Sequence, residues 1–357
     1  MNQSVLTSVP YVLRRVGILM SANPDDPFEV EGVLNPGTAW GPDGELYLYP
    51  RIVARGNVSR IARARVVIDD GEPVGVERLG VVLAPDEGWE RGRQNAGVED
   101  PRITFIEPLG VHVMSYVAYG PLGPKPALAI SRDTITWTRL GPIRFAYQSE
   151  LGTDLNLFPN KDIVFFPEAV PGPDGRPALA VLHRPMWDLD WLRPGEGAPT
   201  PVGIDDDRPS IWIGYVDLEA ATRDLSALGY IEHSEMIAGP EAPYETAKIG
   251  AGPAPLRVPE GWLLLHHGVS GAMPKGFELA HGSIYAAGAM LFDPADPRRV
   301  IARTMEPLLT PETPEETSGT LANVVFPTAI EEIAGRRFVF YGMADSSIGV
   351  AELVPQQ

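Results

Sequence analysis

A scattered set of polar side chains sits beside long apolar runs in this chain: Asn35, Asp100 with Arg102, Lys161 with Asp162, His183 with Arg184, Lys248, His266 with His267, and Asp345. Burying such groups without partners costs several kcal/mol, so pairing, ligand binding or both must compensate. Their types define the chemistry within reach. A carboxylate such as Asp100 can move a proton. Arg184, Lys248 and His267 come from separate stretches; if they meet they need an anion, with the protein's own carboxylates as the alternative partners. Taken singly, Lys248 pairs as readily with Glu245 as with a bound anion. Cysteine is absent, which removes thiol nucleophiles, thiolate zinc sites and disulfides. The six histidines show no spaced pair with carboxylates suited to zinc, and His266 and His267 cannot chelate from one strand face, so no metal is expected. KIGAGPAP from Lys248 leads into a strand rather than a helix, so it is not a nucleotide cradle.

The elements that must position these residues are short strands. Five segments share an early proline, a short apolar strand, a Gly or acidic turn and a stronger apolar strand: they begin at Asn35, Glu99, Phe165, Ala254 and Val325. Their prolines, Pro36, Pro101, Pro167, Pro255 and Pro327, lie 65, 66, 88 and 72 residues apart. One hairpin cannot bury its own apolar face, whereas five packed round an axis can. Further strands, such as 127–131, 211–217 and 284–292, fill each period. The spacing predicts an all-β, five-bladed β-propeller with a central active-site pocket, the chain forming a single domain over residues 1–357. A large β-sandwich with coincidental spacing is the alternative. Helix is expected only near 217–227. In a propeller the inner strands converge on one cavity, which would gather the polar residues into a constellation.

Composition agrees with this class. The 357 residues include 37 Gly and 37 Pro, too many for long helices. A formal net charge of −18 argues against nucleic acid as a partner, because phosphate backbones demand a basic footprint. No apolar run approaches the roughly 20 residues of a membrane helix, and the run after Arg14 and Arg15 is too short for a signal peptide. The reading is a cytoplasmic protein with no membrane partner and with homo-oligomerisation left open. The stretch 186–209 is too long for a plain turn; Trp187 and Trp191 within it would serve as a sugar-stacking lid, a hydrophobic plug or a subunit contact.

Six motifs then carry a family resemblance: GVEDPRI from Gly97, KDIVFFPE from Lys161, HRP from His183, KIGAGPAPL from Lys248, GWLLLHHGV from Gly261 and YGMAD from Tyr341. In this order, over about residues 30–355, the chain resembles the β-mannoside phosphorylases and β-mannosidases of glycoside hydrolase family 130, with 186–209 as an inserted loop. The resemblance implies inverting phosphorolysis of terminal β-mannosides in manno-oligosaccharides to α-mannose 1-phosphate, without a cofactor and with inorganic phosphate as co-substrate. An inverting β-mannosidase of the same fold, with Glu245 or Glu278 activating water, and a non-catalytic sugar-binding propeller are the alternatives.

Residue by residue, the resemblance makes Asp100 the acid that sends a proton to the departing glycosidic oxygen through a mannose hydroxyl; a turn carboxylate bound to Arg102 is the structural alternative. Arg184, Lys248 and His267 match phosphate-binding positions. Lys161 stands where several phosphorylases carry arginine, replacing a bidentate fork by a point charge, and Tyr285 would reach phosphate or sugar. Asn35, Arg51 and Asp345 are assigned to the mannosyl pocket, with Glu99, Arg102, Asp162, Trp187 and Trp191 as further substrate contacts. His183 and His266 alternate with Arg184 and His267 and therefore face away, into packing.

Overall fold

A computed structural model describes residues 8–190, 192–271 and 282–356, so Trp191 and Glu278 lie outside the described residues. The chain is all-β, and the strands follow one another as antiparallel neighbours. Gly32–Trp40, Leu46–Ala54, Val58–Asp69 and Glu72–Leu83 form the first run. Ala96–Ile106, Val111–Gly120, Gly123–Ser131 and Thr138–Pro142 form the second, joined to the first by a short parallel pairing of Val58 and Ser59 with Ala96 and Gly97. Asn160–Phe165, Pro177–Pro185, Ile211–Asp217 and His233–Ala238 make the third. Lys248–Ala251, Gly261–Ser270, Ile284–Phe292 and Val300–Arg303 make the fourth. In the last run, Val325–Ile333, Arg336–Met343 and Ser347–Pro355 are completed by the N-terminal strand Tyr11–Ser21, which ties the two ends of the chain into one sheet.

The middle strands of each run read as near-continuous apolar stretches because both faces are covered, whereas outermost strands such as Glu72–Leu83 are largely exposed. Apolar clusters lie between successive sheets. Tyr49 and Ile61 of the first run pack with Met114 and Tyr116 of the second. Val113 and Leu128 of the second meet Phe165 and Leu179 of the third. Leu182 and Ile213 meet Leu264 and Met290, and Leu265 and Ala287 meet Val339 and Leu353. Phe338 and Phe340 of the last run return to Val33 and Leu48 of the first. Each fully buried side chain of this size contributes about 1.5–3 kcal/mol, so every sheet depends on its two neighbours.

The helix expected near 217–227 forms as Leu218–Arg223, where the Asp217 carboxylate accepts from Ala220 N over 2.7 Å, and breaks into a short 3-10 turn at Leu225–Gly229. The proline repeat holds in a looser register than the spacing implies. Pro36, Pro101 and Pro327 sit at bulges of innermost strands, whereas Pro167 and Pro255 fall just beyond the corresponding strands. Proline is excluded from regular ladder positions and collects at both bulges and strand ends.

Trp187 corrects an expectation of a pocket-lining aromatic. It is 1% exposed, stacked edge-on against Phe158 at 5.0 Å and Trp212 at 5.7 Å, in the core between the second and third runs. An indole this close to the strand end at Pro185 gains more by completing the core than by standing in solvent. Of the three roles weighed for it, the structure gives it the hydrophobic plug.

Candidate active site

At the same point of the first three innermost strands the backbone turns left-handed. Asn35, Asp100 and Asp162 have φ of 42°, 50° and 56°, each inside a register shift of its strand. Asn and Asp tolerate this region better than other residues with a Cβ, though each such position costs about 1–3 kcal/mol and persists only where its surroundings hold it. The bulges turn the side chains out of the ladder alternation and towards one another. Asp345, in the turn after Arg336–Met343, has φ of 50° as well. The innermost strand of the fourth run, Lys248–Ala251, pairs without a bulge and carries Gly250 opposite His267. A Cβ there would meet the Asp162 carboxylate, His267 Cε1 at 2.5 Å and Arg184 Nε at 2.8 Å, so only glycine leaves room for that cluster.

Two polar chains run through the centre. In the first, Asn35 Nδ2 donates to Asp100 Oδ1 over 2.9 Å and Arg51 Nη1 donates to the same oxygen over 3.1 Å. Arg51 Nη2 donates to Glu99 Oε1 over 2.9 Å, and Lys161 Nζ reaches Glu99 Oε2 at 3.4 Å. In the second, Asp162 accepts from Arg102 Nη2 over 3.0 Å and from Arg184 Nε over 2.5 Å, with His267 Nε2 at 3.6 Å. Lys248 Nζ donates to the Tyr285 hydroxyl over 3.1 Å.

The candidate residues divide accordingly. Two cavities of about 640 Å³ share Gln94, Asn95 and Lys161 in their walls. Arg184 and Lys248 line one; Arg51, Tyr285 and Asp345 line the other. Arg102 is not on either wall: its guanidinium is spent on Asp162 and on the carbonyls of Gly252 at 2.8 Å and Ala251 at 3.0 Å. Asp162 is buried beneath Arg184, and His267 is fully buried, 4.3 Å from the Phe326 ring. These three hold the cationic wall from behind instead of forming it. His183 and His266 face away, as alternation predicts: His183 meets Asn160, and His266 Nε2 donates to Glu245 over 2.8 Å. The pairing of Lys248 with Glu245 does not occur, because Glu245 is fully buried and held by His266 and Arg303. A smaller cavity of about 270 Å³, between Arg176, Tyr215 and His233, holds none of the candidate residues.

Sequence reasoning missed Gln94 and Asn95, which sit on the wall between both cavities, and Glu31, whose carboxylate binds the amides of Gly56 and Asn57 beside the pocket. Their signal was slight, since all three belong to connectors without motif or periodicity. Met186, Asp188, Asp207 and Arg208 bring the 186–209 stretch to the cavity wall.

Burial and charge set distinct protonation states. Burial alone would push Asp100 up, but Arg51, Lys161 and Asn35 outweigh it and hold the carboxyl below its usual range. Asp162 is lowered as well, Arg184, His267 and Arg102 overcoming its burial. Asp345 goes the other way: burial, with Asp100 and Glu99 nearby, raises it to about 6 despite Arg51. Burial, with Arg184 and Lys161 adding repulsion, lowers Lys248 to about 7. Arg184 Nη1 is buried and has no hydrogen-bond partner among the described residues. A cation-rich wall with an unsatisfied guanidinium nitrogen and an ammonium driven towards neutrality has the chemistry to hold an anion, and Asp345, on the adjoining cavity, is a carboxyl able to exchange a proton near neutral pH. Among the described residues no His, Cys, Asp and Glu cluster is arranged to hold a metal ion.

A family model described as beta-1,4-mannooligosaccharide phosphorylase matches residues 14–172 and 226–356. A 1,2-beta-oligomannan phosphorylase of Thermoanaerobacter sp. (strain X514) is 30% identical over 267 residues, covering 74% of this chain and 70% of the relative. A beta-1,4-mannooligosaccharide phosphorylase of Ruminococcus albus is 37% identical over 122 residues, 34% of each chain. The solved beta-1,2-mannobiose phosphorylase of Listeria innocua, in complex with beta-1,2-mannobiose, superposes with a TM-score of 0.69 at 22% identity, over 96% of this chain and 97% of that one.

Proposed function

Because the chain belongs to glycoside hydrolase family 130, we propose that its central pocket carries out inverting phosphorolysis of terminal β-mannosides, releasing α-mannose 1-phosphate and a shortened acceptor. The chain is an enzyme acting on β-mannosides, and phosphorolysis is its reaction. The observation that carries the assignment of the site is the buried Arg184 Nη1, without a hydrogen-bond partner among the described residues, on a wall shared with Lys161 and Lys248.

The architecture behind it is a five-bladed propeller. The cyclic series of apolar clusters, the last returning to the first run, supports that count, as does the N-terminal strand closing the C-terminal sheet.

In the mechanism, the mannosyl unit lies against Asn35, Arg51, Asp100 and Asp345, and phosphate lies against Lys161, Arg184, Lys248 and the Tyr285 hydroxyl. Phosphate is already an ionised nucleophile, so cations that place it take over the work of a general base. One phosphate oxygen bonds to the anomeric carbon from the face opposite the leaving group while the C1–O bond breaks. A proton from Asp100, relayed by a mannose hydroxyl, neutralises the departing oxygen. The Asp100 charge helps raise Asp345, and a substrate that excludes water disfavours the charged form of Asp100 and so returns a proton to it. Arg102, Asp162 and His267 keep Arg184 aimed. The 186–209 stretch contributes Met186, Asp188, Asp207 and Arg208 to the acceptor side.

Hydrolysis fits less well. Of the two carboxylates considered as water-activating bases, Glu245 is fully buried and bonded on both oxygens, and Glu278 lies outside the described residues. The test is a panel of β-mannosides with and without phosphate: sugar release should require phosphate and yield a sugar phosphate. Free mannose released equally without phosphate would reverse the assignment.

A further inference from the structure

One buried side chain recurs in every connector that leads into a sheet, and its partner always lies on the outermost strand of that same sheet. Glu29 binds Arg78 through both oxygens at 2.9 Å. Glu90 binds Arg139 at 2.9 and 3.1 Å. Gln148 exchanges two bonds with the Ser234 backbone, at 2.7 and 3.2 Å. Glu245 accepts from Arg303 over 2.7 Å. Glu316 binds Arg15, on the N-terminal strand, through both oxygens at 2.9 Å. The four glutamates also accept from backbone amides of their own connectors, so each clamps a loop to a sheet. Past each glutamate clamp the connector reaches the cavity wall, at Glu31, at Gln94 and Asn95, at Ala247 and Lys248, and at Thr320 and Leu321.

The fourth clamp leads directly to a cation. Lys248 comes three residues after Glu245, and among the described residues it makes no ion pair; its one hydrogen bond goes to Tyr285. Its ammonium is therefore placed by its backbone, against the repulsion of Arg184 and Lys161. That backbone issues from the turn Pro243–Glu245, which Glu245 closes by accepting from the amides of Glu241 and Ala242 at 2.9 Å. The turn lies directly on the strand Gly261–Ser270, where a Cβ at Gly268 would come within 2.7 Å of Glu245 Cγ. From that strand His266 donates to the other Glu245 oxygen.

We propose that Glu245 is a positioning residue for phosphate: anchored by Arg303 and His266, it fixes the turn that holds Lys248 on the cavity wall. The proposal rests on the reading that Lys248 binds phosphate, and the experiment separates the two. Kinetic constants for phosphate and for the mannoside are measured in Glu245→Ala, Lys248→Ala, the double variant, and Glu29→Ala as a clamp that leads to no cation. Glu245→Ala should raise the KM for phosphate about tenfold with little change in the KM for the mannoside, as expected for sub-ångström misplacement. It should add almost nothing in the Lys248→Ala background, since coupled residues are non-additive. Glu29→Ala should lower Tm without that KM split. Full additivity, or an equal rise in both KM values, would overturn the proposal while leaving phosphate binding intact. An unchanged phosphate KM in Lys248→Ala would remove the underlying reading, and the proposal with it. If Glu245→Ala does not fold, Arg303→Lys, which leaves the amide and His266 bonds in place, should show the same split at smaller size, and its absence there overturns the proposal.

Discussion

Asn35 donates its carboxamide hydrogen to Asp100 Oδ1 over 2.9 Å, and both residues occupy left-handed backbone at equivalent bulges of neighbouring innermost strands. The bond ties two strained positions together, and Arg51 closes on the same oxygen. A carboxylate held in this way on one oxygen has a fixed direction before substrate arrives, which is the preorganisation a proton donor requires.

Asp100→Asn keeps the shape and the acceptor for Asn35 but removes the proton. Turnover of a mannoside with a poor leaving group should fall by at least about 10²-fold, while loss of the charge that Arg51 and Lys161 hold lowers Tm without preventing folding. Near-normal turnover would exclude Asp100 as the acid.

Gly250→Ala places a methyl group against the Asp162 carboxylate, His267 and Arg184. Overpacking of this kind costs about 1–3 kcal/mol, and displacement of Arg184 should raise the KM for phosphate more than that for the mannoside. Denaturant unfolding and steady-state kinetics check both halves; a variant with parental stability and phosphate KM would show that the cluster tolerates movement.

The protonated form of Lys248 attracts an anion, and burial has brought its pKa down to about 7. Anion affinity should accordingly be full below pH 7 and decline as the pH rises through that value. Sulfate, which does not titrate in this range, separates Lys248 from the ionisation of phosphate itself. Its inhibition constant against phosphate should rise between pH 6 and pH 8.5 in the parent and stay flat in Lys248→Ala.

Asp345, raised to about 6, binds its proton more tightly in the folded chain than in the unfolded one. Its ionisation therefore removes stability as the pH climbs through 6, whereas an asparagine there would not respond. Asp345→Asn should gain Tm relative to the parent at pH 8 and lose that advantage by pH 4, while activity falls. Equal Tm differences at the two values would show that Asp345 is not buried as a neutral acid.

Part of the candidate site was legible because motif residues report chemistry directly: Lys161, Arg184 and Lys248, candidates from the sequence, stand on the walls of adjoining cavities, whereas Asp100 lines neither and reaches them through its bond to Arg51. What stayed hidden was direction. Arg102, Asp162 and His267 are as charged or polar as their neighbours, but the bulge at Asp162 and the space at Gly250 turn them behind the wall, and strand alternation gives no hint of a left-handed residue. For Trp187 the sequence leaves a pocket contact and a hydrophobic plug side by side, because an aromatic in a polar loop does not show whether it folds back to cap a strand end. The clamp glutamates were invisible for another reason: their arginine partners lie 49 to 301 residues away, and the last pair joins the two ends of the chain.

In the proposed reaction phosphate attacks the anomeric carbon from the face opposite the oxygen protonated through Asp100. This is tested most directly by following the first product of β-mannobiose cleavage in phosphate buffer by phosphorus and proton NMR. α-Mannose 1-phosphate should be the initial species, appearing in step with the released acceptor. β-Mannose 1-phosphate, or free mannose formed at a rate independent of phosphate, would contradict it.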